Sequence, residues 1–429
     1  MKAEGKVIVP IGEKPIIEER HQFYAEGEGL RRVEIRTVTS ESDYVNGIWR
    51  RTSDNNGKTW SHWQDTYQNE YFHYDKDELI IIGRDAYAWN PVNRHYISVS
   101  MDRFFVDGHV AAYEALWTKL EAGTVIDHAY LSWKNKPGDE WTTQLVRYED
   151  GDDFNPENPR NPRFLQRNRA FSASGFSIAP NGDVLFPIGP CVRKCCELGG
   201  TDVAREFPNC TDMAKGAMIA RAKWNGAAYD ITLSNPIIIP DLQSSRCIDE
   251  PTVLELTSGR VLVVMRGSNV QSEAWRTRIE KGTPGFKWYA WSDDGGMTFT
   301  RPMPWHFDNG EVVYSSASIS KLVRSTKNGR AYWIGNFTRP QINGNAPRWP
   351  LVIAEVDECT GCAKKDTLTV IDTRREGESD RVQLSNFSFL EDRETGAFEV
   401  MLAKYDQFSE SRGNPYFGET WHYTITLDE

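Results

Sequence analysis

Several short stretches put acids and arginines where a chain can present them to a ligand. In Asp249–Arg266, DEPTVLELTSGRVLVVMR, acids open a hairpin and an arginine closes it. GNFTRPQINGNAPRWPLVIAEV carries Arg339 and Arg348, SESDYVNGIWRRTSDNNG carries Asp43, and EGLRRVEIR carries Arg31 and Arg32. A guanidinium is a rigid fork that fits a carboxylate at two points. A carboxyl in a semi-enclosed site can have a raised pKa and act as an acid. The competing reading is structural: loop aspartates are usually solvated, and arginines often end strands.

His73, His95, His109 and His128 fall in one stretch with Tyr71, Tyr74 and Tyr87. They suit either a proton-transfer group or ordinary strand and loop positions. No histidine pair has the spacing of a metal site on a helix. The seven cysteines include a close group, Cys191, Cys195, Cys196 and Cys210, a lone C-x-x-C at Cys359 and Cys362, and Cys247 apart. A metal knuckle needs a second half-site or a nearby histidine, which neither group has. A tied loop or free thiols is the expected state, and neither a metal nor a cofactor is expected.

The net charge of −11 argues against a nucleic-acid partner. An anionic small ligand would need a local cluster of arginines. No apolar run approaches the ~20 residues of a membrane span, and the opening MKAEGKVIVPIGEK lacks the apolar core of a signal peptide.

The elements that must position these residues are short strands. Phe176–Gly189, Pro251–Gly267, Ile319–Phe337 and Phe387–Tyr405 each read as strand, N-G, S-G or T-G turn, strand. They recur at roughly 70-residue spacing with second hairpins between them. Four antiparallel strands per unit, repeated around a ring, is the plan of a β-propeller. Two earlier units, Glu34–Trp63 and about Asp77–Arg147, bring the count to six blades rather than seven. The expected architecture is one all-β domain over residues 1–429, with KVIVP completing the last blade and closing the ring. The best helical candidate is short, near Ala111–Glu121.

Two polar turns, Ser53–Trp60 and Ser292–Phe299, share the pattern S-x-D-x-G-x-T-W/F, with Asn55 in the Asp place of the first. The Asp accepts from turn N–H groups and Gly permits the tight bend. This resembles the Asp box, or BNR repeat, of the sialidase superfamily. The resemblance implies roles for the acids and arginines. Glu250 and Arg266 match the segment whose Glu assists the nucleophile and whose Arg holds the substrate carboxylate. Arg348 matches another carboxylate-binding arginine, with Arg339 as fallback. Asp43 matches the acid/base aspartate. The R-I-P motif is missing, and Arg32, beside Arg31, is the nearest substitute. The nucleophilic tyrosine is missing too: in VQLSNFSFLEDRETG, Leu384 falls in its place, and Tyr314 and Tyr405 are the tyrosines that could reach in.

The resemblance therefore implies a carbohydrate-active enzyme, a glycoside hydrolase acting on an acidic oligosaccharide or polysaccharide. Its catalytic residues would be Asp43 and Glu250, and its substrate-binding residues Arg32, Arg266 and Arg348. Because both losses fall in the sialic-acid machinery, an acid sugar other than the common sialosides is expected. A secreted or periplasmic location is expected. A polysaccharide lyase using the His and Tyr group at a uronic acid, and a non-catalytic glycan-binding propeller, are the alternatives, since a propeller alone selects no chemistry.

Overall fold

A computed structural model describes all residues except 42–44, 68–70, 85, 109–122, 151–159, 173–174, 210–213, 274–275, 341, 343 and 429. Asp43, His109, Cys210 and the helical candidate at 111–121 lie outside the described residues. The chain forms six antiparallel sheets, one per blade, as the hairpin spacing implies.

In blade 1 the strands run outward from Ile17–Tyr24 through Arg32–Thr39 and Gly47–Ser53 to Gln64–Asp65. Blade 4 repeats this with Asp249–Glu255, Val261–Arg266, Lys287–Ser292 and Met303–Pro304. Blades 3 and 5 follow the same order from Ser177–Ile178 and Ser320–Arg324. Blade 6 starts at Phe387–Glu391, and its outer strand is the N-terminal Lys2–Val9, paired with Thr420–Thr426. Blade 2 is enlarged. Its strands His95–Phe105 and Val125–Lys134 outrun the short inner strand Ala88–Asn90, and Asp77–Ile82 and Tyr71–Tyr74 extend the sheet along them.

The first blade begins earlier than the expected Glu34, because Ile17–Tyr24 is its inner strand. IEERHQFY has no clear apolar alternation. The strand lines the ring axis, where polar side chains belong: Glu19 bonds Tyr405 of blade 6, and His21 lies near Lys321 of blade 5.

Both polar turns sit at the same end of their blades, since Ser53 pairs with Arg32 and Ser292 with Val261 at the start of the second strand. In each, the Ser hydroxyl accepts from the glycine N–H at 2.8 Å, and the Asn or Asp side chain accepts from a Thr N–H at 2.9 Å. Gly57 and Gly296 hold φ of 81° and 92°, where a Cβ would be strained.

Apolar clusters join blades 2 to 3, 3 to 4, 4 to 5 and 5 to 6. Among the described residues blade 1 joins none of them. A polar latch ties it to blade 6 instead. Arg32, 2% exposed, donates to Asp392, to Glu399 at 2.9 Å and to Asn56 at 2.8 Å. Asn56 also donates to Asp392 at 2.8 Å.

This corrects the expectation for Arg32. It stands at the polar-turn end of its strand, whereas Arg266 ends its strand at the opposite end of its blade. Its guanidinium is occupied by two carboxylates. Arg31 pairs with Asp54 at 3.3 Å near the surface.

Arg32→Met would leave two buried carboxylates without their cation. The expected result in chemical denaturation is a loss of about 3–5 kcal/mol of stability. A loss no larger than that of an exposed substitution would show that the latch does not hold the ring closed.

Candidate functional site

The end of the ring away from the polar turns gathers charged side chains from blades 3 to 6. Asp249 pairs with Arg266 across two strands, and the register then slips before Thr252. Within this bulge Glu250 has φ of 40°, a left-handed conformation that a non-glycine residue rarely holds. Its Oε2 accepts from Arg266 Nη1. Arg266 Nη2 reaches Asn345 Oδ1 at 3.3 Å, and the Asn345 carbonyl accepts from Arg348 Nε at 3.0 Å. Two guanidinium groups therefore flank one asparagine.

Arg348 is 8% exposed. It donates to Gln383 Oε1 at 2.9 Å, Ser385 Oγ at 3.0 Å and the Ala317 carbonyl at 2.9 Å. All of these partners are neutral, and among the described residues no carboxylate forms an ion pair with it. Burial, with repulsion from Arg266, pulls its pKa down to about 9. The backbone fixes it from the other side, where Leu384 N and Asn336 Nδ2 both donate to its carbonyl.

Asp249 lies among cations. Burial alone would raise its pKa, but Arg266, Lys215 and Arg246 bring it down to about 2. Arg246 Nη2 lies 3.3 Å from its carboxylate. The Lys215 ammonium stands 4.7 Å over the Phe171 ring, and burial lowers its pKa although Asp249 opposes this. Phe171, Lys215, Asp249 and Glu250 line one small hollow.

The structure thus brings Glu250, Arg266 and Arg348 together. Arg339 is exposed. Asp43 lies outside the described residues, but the strands before and after it, ending at Thr39 and starting at Gly47, meet at the end of blade 1 that corresponds to Arg266. Leu384 is fully buried in the apolar cluster between blades 5 and 6. Its neighbour Gln383 reaches the site, bonded to Arg348 and, at 2.7 Å, to Asp406. Tyr405 donates to Glu19 at 2.9 Å, and burial holds its hydroxyl well above the ordinary phenol pKa. Tyr314 packs its ring on Phe286, 5.7 Å between centroids.

The described histidines and tyrosines of blade 2 do not converge on the ring centre. His95 packs edge-on to Trp224 and bonds Tyr229 at 3.1 Å. His128 stacks on Phe164, and burial depresses its pKa to about 4. His73 pairs with Glu78 at 3.5 Å, and Tyr87 donates to the Ala25 carbonyl. Cys191, Cys195, Cys196, Cys359 and Cys362 are free thiols, and no group of three or more His, Cys, Asp or Glu among the described residues is arranged to hold a metal. No described helix is long and apolar enough to cross a membrane.

No protein-family model and no curated protein sequence matches the chain. Solved structures do. A Dyadobacter fermentans protein of unknown function superposes with a TM-score of 0.55 at 13% identity, covering 99% of both chains. The NanB sialidase of Streptococcus pneumoniae gives 0.53 at 9% identity, covering 98% of this chain and 70% of that one. The intramolecular trans-sialidase of Ruminococcus gnavus, in complex with oseltamivir carboxylate, gives 0.50 at 10% identity, covering 96% of both. The chain shares the β-propeller fold of these sialidase structures. At such identities the likeness carries the fold and leaves the reaction to the site itself.

One buried cation supports the site of this propeller from below. Lys287 pairs across strands with Arg266 and donates to the Ser318 carbonyl. Burial, then repulsion from Arg266, lowers its pKa from 10.5 to about 7. Between these values the unfolded chain binds more protons than the folded one, so this group's destabilising effect is full below about pH 7 and fades as pH rises towards 10.5. Denaturation midpoints followed from neutral to alkaline pH should therefore rise less in Lys287→Met than in the parent. Parallel curves for the two proteins would show that Lys287 stays protonated in the fold.

Proposed function

We propose that the ring centre binds the acidic sugar of an oligosaccharide or polysaccharide and hydrolyses its glycosidic bond. The observation that carries this reading is Arg348, a buried guanidinium held by neutral groups alone among the described residues. Removing a cation from water without a counter-charge is costly. A ligand carboxylate beside Arg348 and Arg266 would supply that charge. That solved structures of this fold include sialidases, one of them holding a carboxylate ligand, is in keeping with this.

In this scheme the sugar carboxylate lies between Arg266 and Arg348. Asp43, from its loop on blade 1, protonates the leaving glycosidic oxygen as the C–O bond breaks. Glu250 takes the proton of the water, or of the nucleophile, that adds to the anomeric carbon. With Leu384 buried in the core, no tyrosine at that position forms a glycosyl intermediate, so acid sugars other than the common sialosides are the expected substrates. Such glycans are met outside the cytoplasm, in keeping with a secreted or periplasmic protein. The dispersal of the described blade 2 histidines weighs against a lyase.

Incubation with sialosides and uronic-acid oligosaccharides, followed by mass analysis, separates the readings. The expected product gains one water. Cleavage without that gain would mean elimination, and retention without turnover would mean a binding protein.

Arg266→Met and Arg348→Met should each reduce kcat/KM by a factor worth about 2–5 kcal/mol. Because Arg348 is buried, circular dichroism must show the variant folded. Arg348→Lys keeps the charge without the fork and should recover only part of the loss. Full activity in both Met variants would end the anionic-substrate reading.

Asp43→Asn should slow turnover by roughly 100-fold on substrates with poor leaving groups, and less on activated aryl glycosides. An equal loss on both kinds would assign Asp43 a structural role.

A further inference from the structure

The enlarged blade 2 has two chemically different faces. Side chains alternate along His95–Phe105 and Val125–Lys134. Arg103 and Asp127 share one face, joined by two bonds of 2.7 and 2.9 Å, and Asp127 lies near Lys215 of the ring centre. Asp102 and Tyr130 stand on the other face. There the sheet forms a cavity of about 770 Å³, within the range of small-ligand sites.

The polar side chains of Tyr74, Arg84, Asp102, Tyr130, Thr143, Gln144 and Arg147 line this cavity. Arg84 Nη2 donates to Asp102 Oδ1 at 3.1 Å. Burial holds the Asp102 pKa up at about 6 in spite of Arg84. The Tyr130 side chain is 5% exposed, and its hydroxyl has no partner among the described residues. Tyr74 lines the same space, its hydroxyl likewise without a described partner. Arg84 Nε is buried without a partner among the described residues, as is the hydroxyl of Ser100, across the strand from Tyr130. Leu79 and Ile81 supply an apolar wall.

An apolar ligand would leave these polar groups dry, at a cost of about 1–3 kcal/mol each. An ion gains little from Arg84 and Asp102, which already offset one another; Arg147 also lines the cavity and would favour an anion, which sodium glucuronate tests. A polyol with one apolar face fits both the wall and the heads: adjacent hydroxyls can donate to Asp102 and accept from Arg84 and the phenols, while ring C–H groups lie on the leucine and isoleucine.

We propose that this cavity is a second carbohydrate site, which holds a neutral pyranose through Asp102, Arg84 and the hydroxyls of Tyr74 and Tyr130. It is separated from the ring centre by the thickness of the sheet and does not depend on the ring centre's chemistry.

The test is saturation-transfer NMR and calorimetry with methyl glucoside, methyl galactoside, methyl mannoside and N-acetylglucosamine as probes. At least one should bind. Tyr130→Phe and Asp102→Asn should weaken it roughly tenfold, the loss of one or two hydrogen bonds, while Arg348→Met leaves it unchanged. Tyr74→Phe, at a partly exposed position, serves should either buried variant fail to fold, and should weaken binding likewise. The proposal is overturned if no probe binds up to roughly 10 mM, if sodium glucuronate binds better than methyl glucoside, or if the cavity variants bind like the parent. Binding lost in Arg348→Met and kept in Tyr130→Phe would place the neutral sugar at the ring centre and also overturn it. Failure of the ring-centre hydrolase reading would leave these results untouched.

Discussion

A guanidinium taken out of water must find oxygen atoms to receive its protons and a negative charge to offset its own. Much of this molecule can be understood from how two arginines meet that demand. Arg32 receives both, with Asp392 and Glu399 as counter-ions and Asn56, Gln22 and Tyr24 as further partners. Arg348 receives only the first, from two carbonyls, an amide oxygen and a hydroxyl. The same side chain, equally buried, is complete within the fold in one place and lacks a described counter-ion in the other. The first locks blade 1 to blade 6, and the second is the basis on which an anionic ligand is proposed.

The ring geometry explains why the two cannot exchange roles. Each blade reverses direction at every turn, so a residue at the start of a second strand and one at its end face opposite rims. Arg32 starts its strand and Arg266 ends its own. The polar turns, with their N–H groups satisfied locally, occupy one rim. Bulges and longer connections occupy the other, and there Glu250 is held in a strained backbone against Arg266. Strain of this kind persists only where the surroundings over-determine it. Here the surroundings are Asp249, Arg246, Lys215 and Lys287, a charge network whose members constrain one another.

What the sequence made legible follows from which signals are local. N-G, S-G and T-G turns between apolar runs announce hairpins, and the two S-x-D/N-x-G-x-T turns carry their own hydrogen bonds, so blade number and the neighbourhood of Glu250 and Arg266 could be read directly. Ile17–Tyr24 could not, because a strand facing a polar axis loses the alternation that betrays strands elsewhere. Gln383, Asp406 and the Tyr405–Glu19 pair were equally hidden: Gln383 reaches Arg348 35 positions away and Asp406 23 positions away, and Tyr405 meets Glu19 of blade 1 at a separation of 386. Arg32 misled because adjacent arginines in EGLRRVEIR look alike in a sequence, and only the register shows which rim each strand end occupies. Leu384 is instructive in the other direction. A leucine cannot serve as a nucleophile, and the structure adds that its neighbour Gln383 turns towards Arg348 while Leu384 turns into the core.

The charge balance of the whole chain sharpens what the ring centre can do. With a net charge of −11, the protein repels an approaching anion at long range. At physiological ionic strength that repulsion fades beyond a Debye length of about 8 Å. The attraction from Arg266, Arg348 and Lys215 is short-ranged as well, and Asp249 and Glu250 offset part of it. Electrostatic steering therefore contributes little to capture. Under the proposed function, selectivity for an anion would arise from contact, after a ligand carboxylate has shed its water and reached the two guanidinium forks. A site of this kind recognises where a single charge sits on a ligand rather than how much charge the ligand carries. The buried, rigidly bonded Arg348, fixed by Asn345, Gln383, Ser385 and Ala317, is organised for that form of recognition.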